Sequence, residues 1–500
     1  MSATPSYVPH WIAGKPEIPE GTRTAPVYDP ALGVVATWVC LAGNAEIEAA
    51  VASAKAAFPA WRALSLARRQ AILFRFRELL AARTSELAAI ITAEHGKVLS
   101  DAAGEVARGL EVVDYACGLA EHLKGEFSQG VSTGVDVHSV REPLGVVAII
   151  SPFNFPAMVP MWFFPAAIAA GNAVIVKPSE KDPSASLWMA ELWQEAGLPD
   201  GVFTVLHGDK VAVDGLLEHP DVRAVSFVGS TPIAEYVYRT ASANGKRVQA
   251  LGGAKNHMLV LPDADLDLAA DAAVNAGFGS AGERCMAISV VVAVEPVADE
   301  LVSRIAQRIA GLKVGDGRRA CDMGPLITAQ HRDKVSGYID VALADGATVV
   351  VDGRGIEVDG ASDGFWLGPT LVDHVPTGSA VYTDEIFGPV LSVVRVASYE
   401  EGVALINAGR YGNGTAIFTN DGGAARQFQL DVQVGMIGVN VPIPVPVGSF
   451  SFGGWKDSLF GDTRAYGAEG FRFFTQQKVV TTRWLDPSHG GINLGFPQNH

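Results

Sequence analysis

The sequence predicts an α/β protein with two doubly wound sheets and a small β arm. Three observations support this fold class. Short apolar runs alternate with helical patterns after residue 141, as is typical of a parallel sheet. A second alternating block extends from residue 257 to about residue 451. Two strand-like stretches, residues 130–140 and 473–484, fit neither block, and their pairing would form an arm that projects between domains or subunits.

Composition limits the classes of function. The chain has 500 residues, of which 48% are hydrophobic, enough for a large core and two or three domains. A net charge of −16 disfavours binding to nucleic acid or an anionic membrane. The N-terminus has no pattern of a secretion or transit signal, so a cytoplasmic location is expected. The cysteines, which form neither a metal-binding nor a disulfide pattern, are Cys40, Cys117, Cys285 and Cys321.

Three helical regions are predicted between residues 44 and 123. Asn44 is the predicted cap of a first helix, whose apolar face includes Ile47 and Val51. Further helices are expected at residues 64–94 and 106–123.

The first alternating block begins with an apolar run at residues 145–151, typical of a strand buried on both faces. Residues 157–176 are nearly all apolar, but Pro160 and Pro165 interrupt them. A buried helix followed by a strand therefore fits better than a membrane span. Ligands of such sheets bind beside the carboxyl ends of the strands. The other predicted strands are 173–176, 202–206, 222–228, 258–261, 288–294, 347–351, 390–394 and 415–418, and the other predicted helices are 184–196, 211–217 and 232–243.

One cysteine lies in a segment suited to a nucleophile. Cys285 follows a helical stretch in the glycine-rich run FGSAGERCM, and Arg284 adjoins it. A thiolate attacks carbonyl carbon readily, and nearby positive charge favours the thiolate. On local sequence alone, the same pattern also fits an inert buried thiol.

Five separated motifs together resemble the NAD(P)-dependent aldehyde dehydrogenase superfamily along nearly the whole chain. Two segments, GAKNH and GERCM, are similar to its CoA-acylating branch that acts on methylmalonate semialdehyde. The motifs are SPFNFP at 151–156, KPSE at 177–180, FVGST at 227–231, the Cys285 segment and EIFGP at 385–389.

The resemblance implies a domain organisation and an assembly. The expected NAD-binding domain comprises residues 1–122 and 143–250, and the catalytic domain comprises residues 251–460. Residues 123–142 and 461–500 form the expected oligomerisation arm and C-terminal tail. A homotetramer or homodimer follows from the same resemblance, with no metal.

The resemblance also implies the catalytic roles. Cys285 is the expected nucleophile, and Asn154 donates its side-chain amide to the substrate oxygen. The backbone N–H of Cys285 is the second donor, and two fixed donors stabilise the oxyanion that forms on attack. Without the resemblance, Asn154 also fits a turn in which its side chain bonds to its own backbone.

Six residues are expected to contact NAD. A carboxylate at Glu180 accepts hydrogen bonds from ribose hydroxyls and repels a 2′-phosphate, which favours NAD over NADP. Ser230 can donate to a phosphate near a helix N-terminus. Without the resemblance, these segments also fit a surface salt bridge, a generic turn and an ordinary loop. The six residues are Phe153, Lys177, Glu180, Ser230, Glu385 on the nicotinamide ribose and Phe387 beside the nicotinamide.

Three residues are expected at the substrate. Arg108 and Arg284 correspond to arginines that bind the substrate carboxylate in the resembling branch, and two guanidinium groups suit such a carboxylate. Phe155 is the third expected contact. By itself, Arg108 also fits a solvated helix residue.

A departure from the wider superfamily indicates how the acyl group leaves. Hydrolytic members carry a Glu that activates water, in the motif ELGGK. Here the stretch reads QALGGAK, and the Glu position falls on Leu251 or Ala250, depending on the alignment. Neither side chain can accept a proton, so water attack is expected to be slow and coenzyme A is the expected acyl acceptor.

The predicted reaction oxidises and decarboxylates methylmalonate or malonate semialdehyde through a thioester on Cys285, giving propionyl-CoA or acetyl-CoA. The alternatives are a hydrolytic NAD-dependent dehydrogenase of another semialdehyde acid and a non-catalytic member of the superfamily. Valine, pyrimidine and inositol breakdown are all compatible with the prediction.

Overall fold

The computed structural model describes residues 6–358 and 360–484. Its largest sheet has eight strands, of which the central ones run parallel. Successive side chains point to opposite faces, so Val147 enters one core and Ala148 enters another. Helices therefore cover both faces, as predicted. In spatial order the strands are Leu459–Phe460, Arg247–Leu251, Val222–Val228, Val146–Ile150, Ala173–Lys177, Phe203–Val205, His10–Ile12 and Lys15–Glu17.

The second sheet has seven strands and its own hydrophobic core. All neighbouring strands are parallel except Thr348–Val351, which runs antiparallel at one edge. The two doubly wound units confirm the predicted fold class. In spatial order the strands are Thr348–Val351, Thr370–Asp373, Val390–Val396, Ile288–Val294, Asn256–Val260, Gly414–Phe418 and Met436–Val439.

The remaining elements are two small sheets, a three-stranded arm and the helices. One small sheet pairs Tyr7–Val8, Val34–Leu41 and Arg23–Asp29, and the other pairs Tyr411–Gly412 with Trp455–Lys456. The helices are Asn44–Ala63, Leu66–Ala82, Thr84–His95, Leu99–Cys117, Leu119–His122, Met158–Ala170, Ser184–Glu195, Lys210–Glu218, Thr231–Ala243, Leu266–Phe278, the 3-10 turn Gly279–Gly282, Ala298–Ile309, Ala329–Ala344, Ala380–Thr383, Tyr399–Ala408, Gly422–Asp431 and Gly467–Phe473.

Most predicted elements agree with these bounds. Strand Ile288–Val294 has the predicted limits, and the apolar stretch after residue 157 is a buried helix, Met158–Ala170, followed by a strand. The cap of the first helix is Gly43 rather than Asn44. The reason is that the Gly43 N–H donates to the Glu46 carboxylate at 2.8 Å, which caps the helix through the backbone.

The arm is a three-stranded antiparallel sheet. Strand Val135–Pro143 pairs with Thr475–Arg483 over nine residues and with Phe127–Ser132 on its other side. The two distant strand-like stretches are therefore paired, as the sequence indicates. The predicted tail from residue 485 onward lies outside the described residues.

The end of the second unit returns to the first. Strand Leu459–Phe460 extends the first sheet, and Phe452 and Phe471 lie in the first hydrophobic core. The segment around residues 452–471 therefore contacts both units, since Lys456 pairs with Tyr411 and Phe460 pairs with Ala250. Among the described residues, no helix has both the length and the apolar character needed to cross a membrane.

Candidate active site

A cleft of about 650 Å³ lies between the two units. One wall consists of segments that follow the first sheet's parallel strands, where ligands of doubly wound sheets bind. The other wall belongs to the second unit and includes Cys285 and His331. Eight of the predicted site residues line this one cleft: Phe153, Asn154, Lys177, Glu180, Ser230, Cys285, Glu385 and Phe387.

The backbone around Cys285 is fixed by a turn and by two amide side chains. Gly282 has a φ of +72°, and a Cβ there would lie 2.3 Å from the Gly388 carbonyl oxygen, so only glycine fits. The carbonyl oxygen of Cys285 accepts hydrogen bonds from Asn256 at 3.0 Å and from Asn413 at 3.2 Å. The thiol is therefore presented by a rigid loop.

The electrostatics of the thiol differ from the expectation. Burial, together with the charge of Glu385, raises the pKa of Cys285 to about 12. Arg284 opposes this shift only weakly. The reason lies in its partner, since the Arg284 guanidinium donates to Asp101 at 2.6 Å and its charge is already balanced. The neighbouring cation thus does not produce a thiolate in the free protein.

Asn154 lies across the cleft from the second unit and is 3% exposed. It follows strand Val146–Ile150 in the loop that leads to helix Met158–Ala170. Its own carbonyl oxygen accepts a hydrogen bond from Lys97 at 2.6 Å. The residues that line the cleft thus include a cysteine and an asparagine, residue types that suit attack on a carbonyl and binding of the oxyanion.

Lys177 and Glu180 occupy the end of the cleft beside the first sheet. The Lys177 ammonium is buried, donates to the Gly208 carbonyl at 2.8 Å and lies 3.5 Å from the Glu180 carboxylate. Burial lowers the pKa of Lys177, and Glu180 opposes the shift. A buried ammonium on the cleft wall differs from a surface salt bridge, which is the alternative that the sequence left open.

Ser230 directly precedes helix Thr231–Ala243 at the cleft. The first backbone N–H groups of a helix favour anions, and a serine hydroxyl adds a donor. Thr231 is turned toward the second unit, where its hydroxyl accepts a hydrogen bond from the Gly253 N–H at 2.8 Å. This helix start suits a phosphate group.

Glu385 and Phe387 form the wall beside Cys285. The Glu385 carboxylate accepts a hydrogen bond from the Ala254 N–H at 2.9 Å, while burial raises its pKa to about 7. Phe387 has a φ of +60°, and its carbonyl oxygen lies 2.7 Å from His331 Nε2. Its ring meets that of Phe153 edge-on, with centroids 5.8 Å apart. A left-handed phenylalanine is strained, so contacts on both sides hold this conformation.

The three predicted substrate residues are not on the wall of this cleft as far as the chain is described. Arg108 pairs with Glu111 at 2.8 Å and donates to the carbonyl oxygens of Val445 and Pro446. Arg284 lines a smaller cavity beside Cys285 and pairs with Asp101. Phe155 is buried, with its ring centroid 4.3 Å from the Lys97 ammonium.

The position of the hydrolytic Glu is apolar and buried in either alignment. Leu251 ends strand Arg247–Leu251 and is 3% exposed, and Ala250 is fully buried. Within the described ranges, no group of three or more His, Cys, Asp or Glu side chains is arranged to hold a metal ion.

Sequence reasoning missed several residues that support the site. They include Lys97 behind Asn154, Asn413 behind Cys285 and His331 behind Phe387. Each acts on backbone atoms of a residue far away in the chain. No local motif signals such contacts, apart from the amide of Asn256 in the segment GAKNH.

Comparison with known proteins agrees with the geometry. Residues 18–480 match the model of the aldehyde dehydrogenase family. A malonate-semialdehyde dehydrogenase from Pseudomonas aeruginosa is 54% identical over 98% of this chain and 99% of the relative. An acylating, mitochondrial methylmalonate-semialdehyde dehydrogenase from Arabidopsis thaliana is 47% identical over 99% of this chain and 81% of the relative.

A solved structure is similarly close. A methylmalonate-semialdehyde dehydrogenase from Oceanimonas doudoroffii superimposes with a TM-score of 0.95 at 54% identity, covering 97% of this chain and 99% of the other. A Sinorhizobium meliloti structure described as the same kind of enzyme, complexed with NAD, has a TM-score of 0.96 at 48% identity, with 97% and 99% coverage.

A cleft between two doubly wound units, lined by a cysteine and an asparagine, together with these relatives defines an oxidoreductase. The chain belongs to the aldehyde dehydrogenase family. The resemblance found in the five motifs is thereby confirmed, and the non-catalytic alternative loses its support.

Proposed function

We propose that this protein oxidises malonate and methylmalonate semialdehydes with NAD, removes CO₂ and transfers the acyl group to coenzyme A. The observation that carries the proposal is the cleft itself, where Cys285 and Asn154 are present but the hydrolytic carboxylate is replaced by buried Leu251 or Ala250. The names of the relatives support the same substrates and, for the Arabidopsis relative, acylation.

The cleft residues fit NAD. The half-exposed Glu180 carboxylate suits ribose hydroxyls, the helix start at Ser230 suits the pyrophosphate, and Glu385 with Phe387 suits the nicotinamide end. NAD, when bound, accepts the hydride that leaves the aldehyde carbon. The Sinorhizobium structure with NAD supports this cofactor.

Acylation begins with Cys285 Sγ attacking the aldehyde carbon. The thiol is protonated at neutral pH, so its proton leaves during the attack. Glu385, with a pKa of about 7 and a charge that acts on Cys285, is the titratable cleft residue suited to receive it. The oxyanion accepts hydrogen bonds from the Asn154 amide and the Cys285 N–H. Its collapse expels a hydride from the same carbon and leaves a thioester on Cys285.

The β-carboxylate of the acyl group then permits loss of CO₂. The carbon–carbon bond breaks, and its electron pair enters the enolate of the thioester, which the same two donors stabilise. Protonation of the enolate carbon that carried the carboxylate gives a propionyl or acetyl thioester. Because Leu251 and Ala250 cannot activate water, the thiol of coenzyme A attacks the thioester and releases Cys285.

A hydrolytic dehydrogenase is the second candidate. One observation favours it, namely that Glu385 remains as a titratable carboxyl group in the cleft with Cys285. In that case Glu385 would activate water, and a free acid would replace the CoA ester.

Omission of coenzyme A separates the two candidates. With NAD and malonate semialdehyde alone, one rapid burst of NADH, no larger than the active-site concentration, should be followed by near arrest. Added coenzyme A should restore steady turnover, and general-base help is worth about 10²–10⁴-fold, so the contrast is large. Cys285→Ala is the control and should give no NADH. Steady turnover without coenzyme A, yielding a free acid, would favour hydrolysis.

We also propose that the arm joins copies of this chain into a homodimer or homotetramer. Phe127 and Val479, one on each outer strand of the arm, are 65% and 60% exposed. An exposed sheet edge with apolar side chains is unfavourable in water and is suited to a second copy.

A further inference from the structure

A fully buried lysine lies behind the segment that carries Asn154. Lys97 occupies the turn between helices Thr84–His95 and Leu99–Cys117 and is 1% exposed. Its ammonium donates to the carbonyl oxygen of Asn154 at 2.6 Å and to the Glu105 carboxylate at 2.8 Å. A buried ammonium needs such partners, so this arrangement is specific rather than incidental.

Glu105 holds the far end of the same segment. Its second carboxylate oxygen accepts hydrogen bonds from the N–H groups of Ala157 and Met158, at 2.9 and 3.0 Å. Those groups begin helix Met158–Ala170, where a negative charge is favourable. Lys97 and Glu105 thus hold residues 154–158 by hydrogen bonds at both ends of the segment.

The turn that carries Lys97 is itself fixed against the second unit. The Leu99 N–H donates to the Gly317 carbonyl at 3.1 Å, and Gly317 is so close that a Cβ on it would lie 2.5 Å from the Lys97 carbonyl oxygen. Gly96, with a φ of +92°, packs on Pro325. Lys97 therefore links the segment of Asn154 to the unit that carries Cys285.

We propose that Lys97, paired with Glu105, is a positioning residue that sets the place of the Asn154 amide relative to Cys285. The inference rests on the proposed role of Asn154 as an oxyanion donor. Such a donor stabilises the oxyanion only when it is held in place before the reaction, since a small displacement weakens the short hydrogen bond. Loss of the lysine leaves the Asn154 carbonyl without its donor and frees the loop.

A reaction without NAD isolates this effect. Attack of Cys285 on p-nitrophenyl acetate passes through the same kind of oxyanion and releases one p-nitrophenolate per site, so the burst rate reports acylation alone. Asn154→Ala should lower that rate about 10²–10³-fold. Lys97→Met combined with Glu105→Gln, which removes both buried charges together, should lower it about 10²-fold.

Two comparisons distinguish positioning from a general loss of structure. In the Asn154→Ala protein, the Lys97/Glu105 change should lower the rate further by less than about twofold, because its effect passes through Asn154. Lys246→Met is the matched control. Lys246 is also a buried lysine, donating to the carbonyl oxygens of His219 and Val222, so this variant should lose thermal stability but keep the burst rate.

Lys97→Gln is the second variant, which keeps an amide donor of shorter reach and should lower the burst rate about 10-fold. It provides the comparison if the double variant does not fold. An unchanged rate in the folded Lys97 variants, or an equal loss with and without Asn154, would overturn this inference while the proposed function stands. An unchanged rate in Asn154→Ala would overturn both this inference and the proposed role of Asn154.

Discussion

The Cys285 thiol should react slowly at neutral pH. Burial, with the charge of Glu385, raises its pKa from 9.0 to about 12, so the protonated form dominates. A pKa that is higher by about three reduces the thiolate fraction at pH 7.5 by about 10³-fold. A more basic thiolate is intrinsically more nucleophilic, and a Brønsted slope of about 0.4–0.5 returns a factor of about 15–30. The net expectation is reaction about 30–60-fold slower than that of an ordinary cysteine.

Exchange with 2,2′-dithiodipyridine measures this reactivity. Cys321, the other partly exposed thiol, is replaced by serine, and Cys285→Ala in that background gives the signal to subtract. Between pH 6.5 and 10 the rate should rise about tenfold per pH unit, without the plateau that an ordinary thiol approaches near its pKa. Disulfide exchange uses the thiolate already present at equilibrium, so it does not need the proton acceptor proposed for the aldehyde reaction. Glu385→Gln removes the second cause of the raised pKa, so the exchange rate at pH 7.5 should increase.

A plateau at or below pH 9, or a rate at pH 7.5 equal to that of a model thiol, would refute this reasoning. The Arg284 charge would then act on the thiol more strongly than its pairing with Asp101 indicates.

Two further predictions concern cofactor and substrate. Glu180→Gln should raise kcat/KM with NADP relative to NAD by at least about 10-fold, because it removes the charge that opposes a 2′-phosphate; an unchanged ratio would contradict the role of Glu180. Arg284→Leu should reduce kcat/KM for malonate semialdehyde at least about 30-fold more than for propanal, since a lost charged hydrogen bond costs about 2–5 kcal/mol. Arg108→Leu should reduce both, because Arg108 also holds the carbonyls of Val445 and Pro446. If Arg284→Leu reduced kcat/KM equally for malonate semialdehyde and propanal, Arg284 would have a structural role only.

The sheets were predictable because their strands are buried on both faces. Strand Ile288–Val294 is apolar except for Ser289, and strand Val222–Val228 is apolar except for Arg223 and Ser226. Both runs are short and rich in β-branched residues, which favours a buried strand over a helix. The strands that were missed include Arg23–Asp29, Val34–Leu41, Arg247–Leu251, Thr370–Asp373, Met436–Val439 and the two-residue strand Leu459–Phe460. The last three are too short for a pattern of their own, and their pairing partners determine their conformation.

Candidate site residues could be predicted from the sequence where they lie within short contiguous motifs. Cys285, Asn154 and the residues predicted to contact NAD lie in recognisable motifs beside strand ends or helix starts. Charge balance was not predictable in the same way. Arg284 adjoins Cys285 in sequence, yet its partner Asp101 lies 183 residues away, so the sequence alone overstates its effect on the thiol.

Helix Leu99–Cys117 explains how those distant contacts converge. Its residues Asp101, Glu105 and Arg108 are spaced four and three apart, which places them on one face of an α-helix. Each contacts a different segment around the active site. Asp101 pairs with the arginine beside the nucleophile, and Glu105 accepts from the helix start after Asn154.

Arg108 makes the third contact by donating hydrogen bonds to the carbonyl oxygens of Val445 and Pro446. In the sequence, the polar helix face with Asp101, Glu105 and Arg108 cannot be distinguished from a face exposed to solvent. This is why Arg108 also fitted a solvated helix residue. In the fold this face meets three loops that are far apart in sequence. Because these contacts share one helix, the arginine beside Cys285 and the segment that follows Asn154 are both tied to the same element.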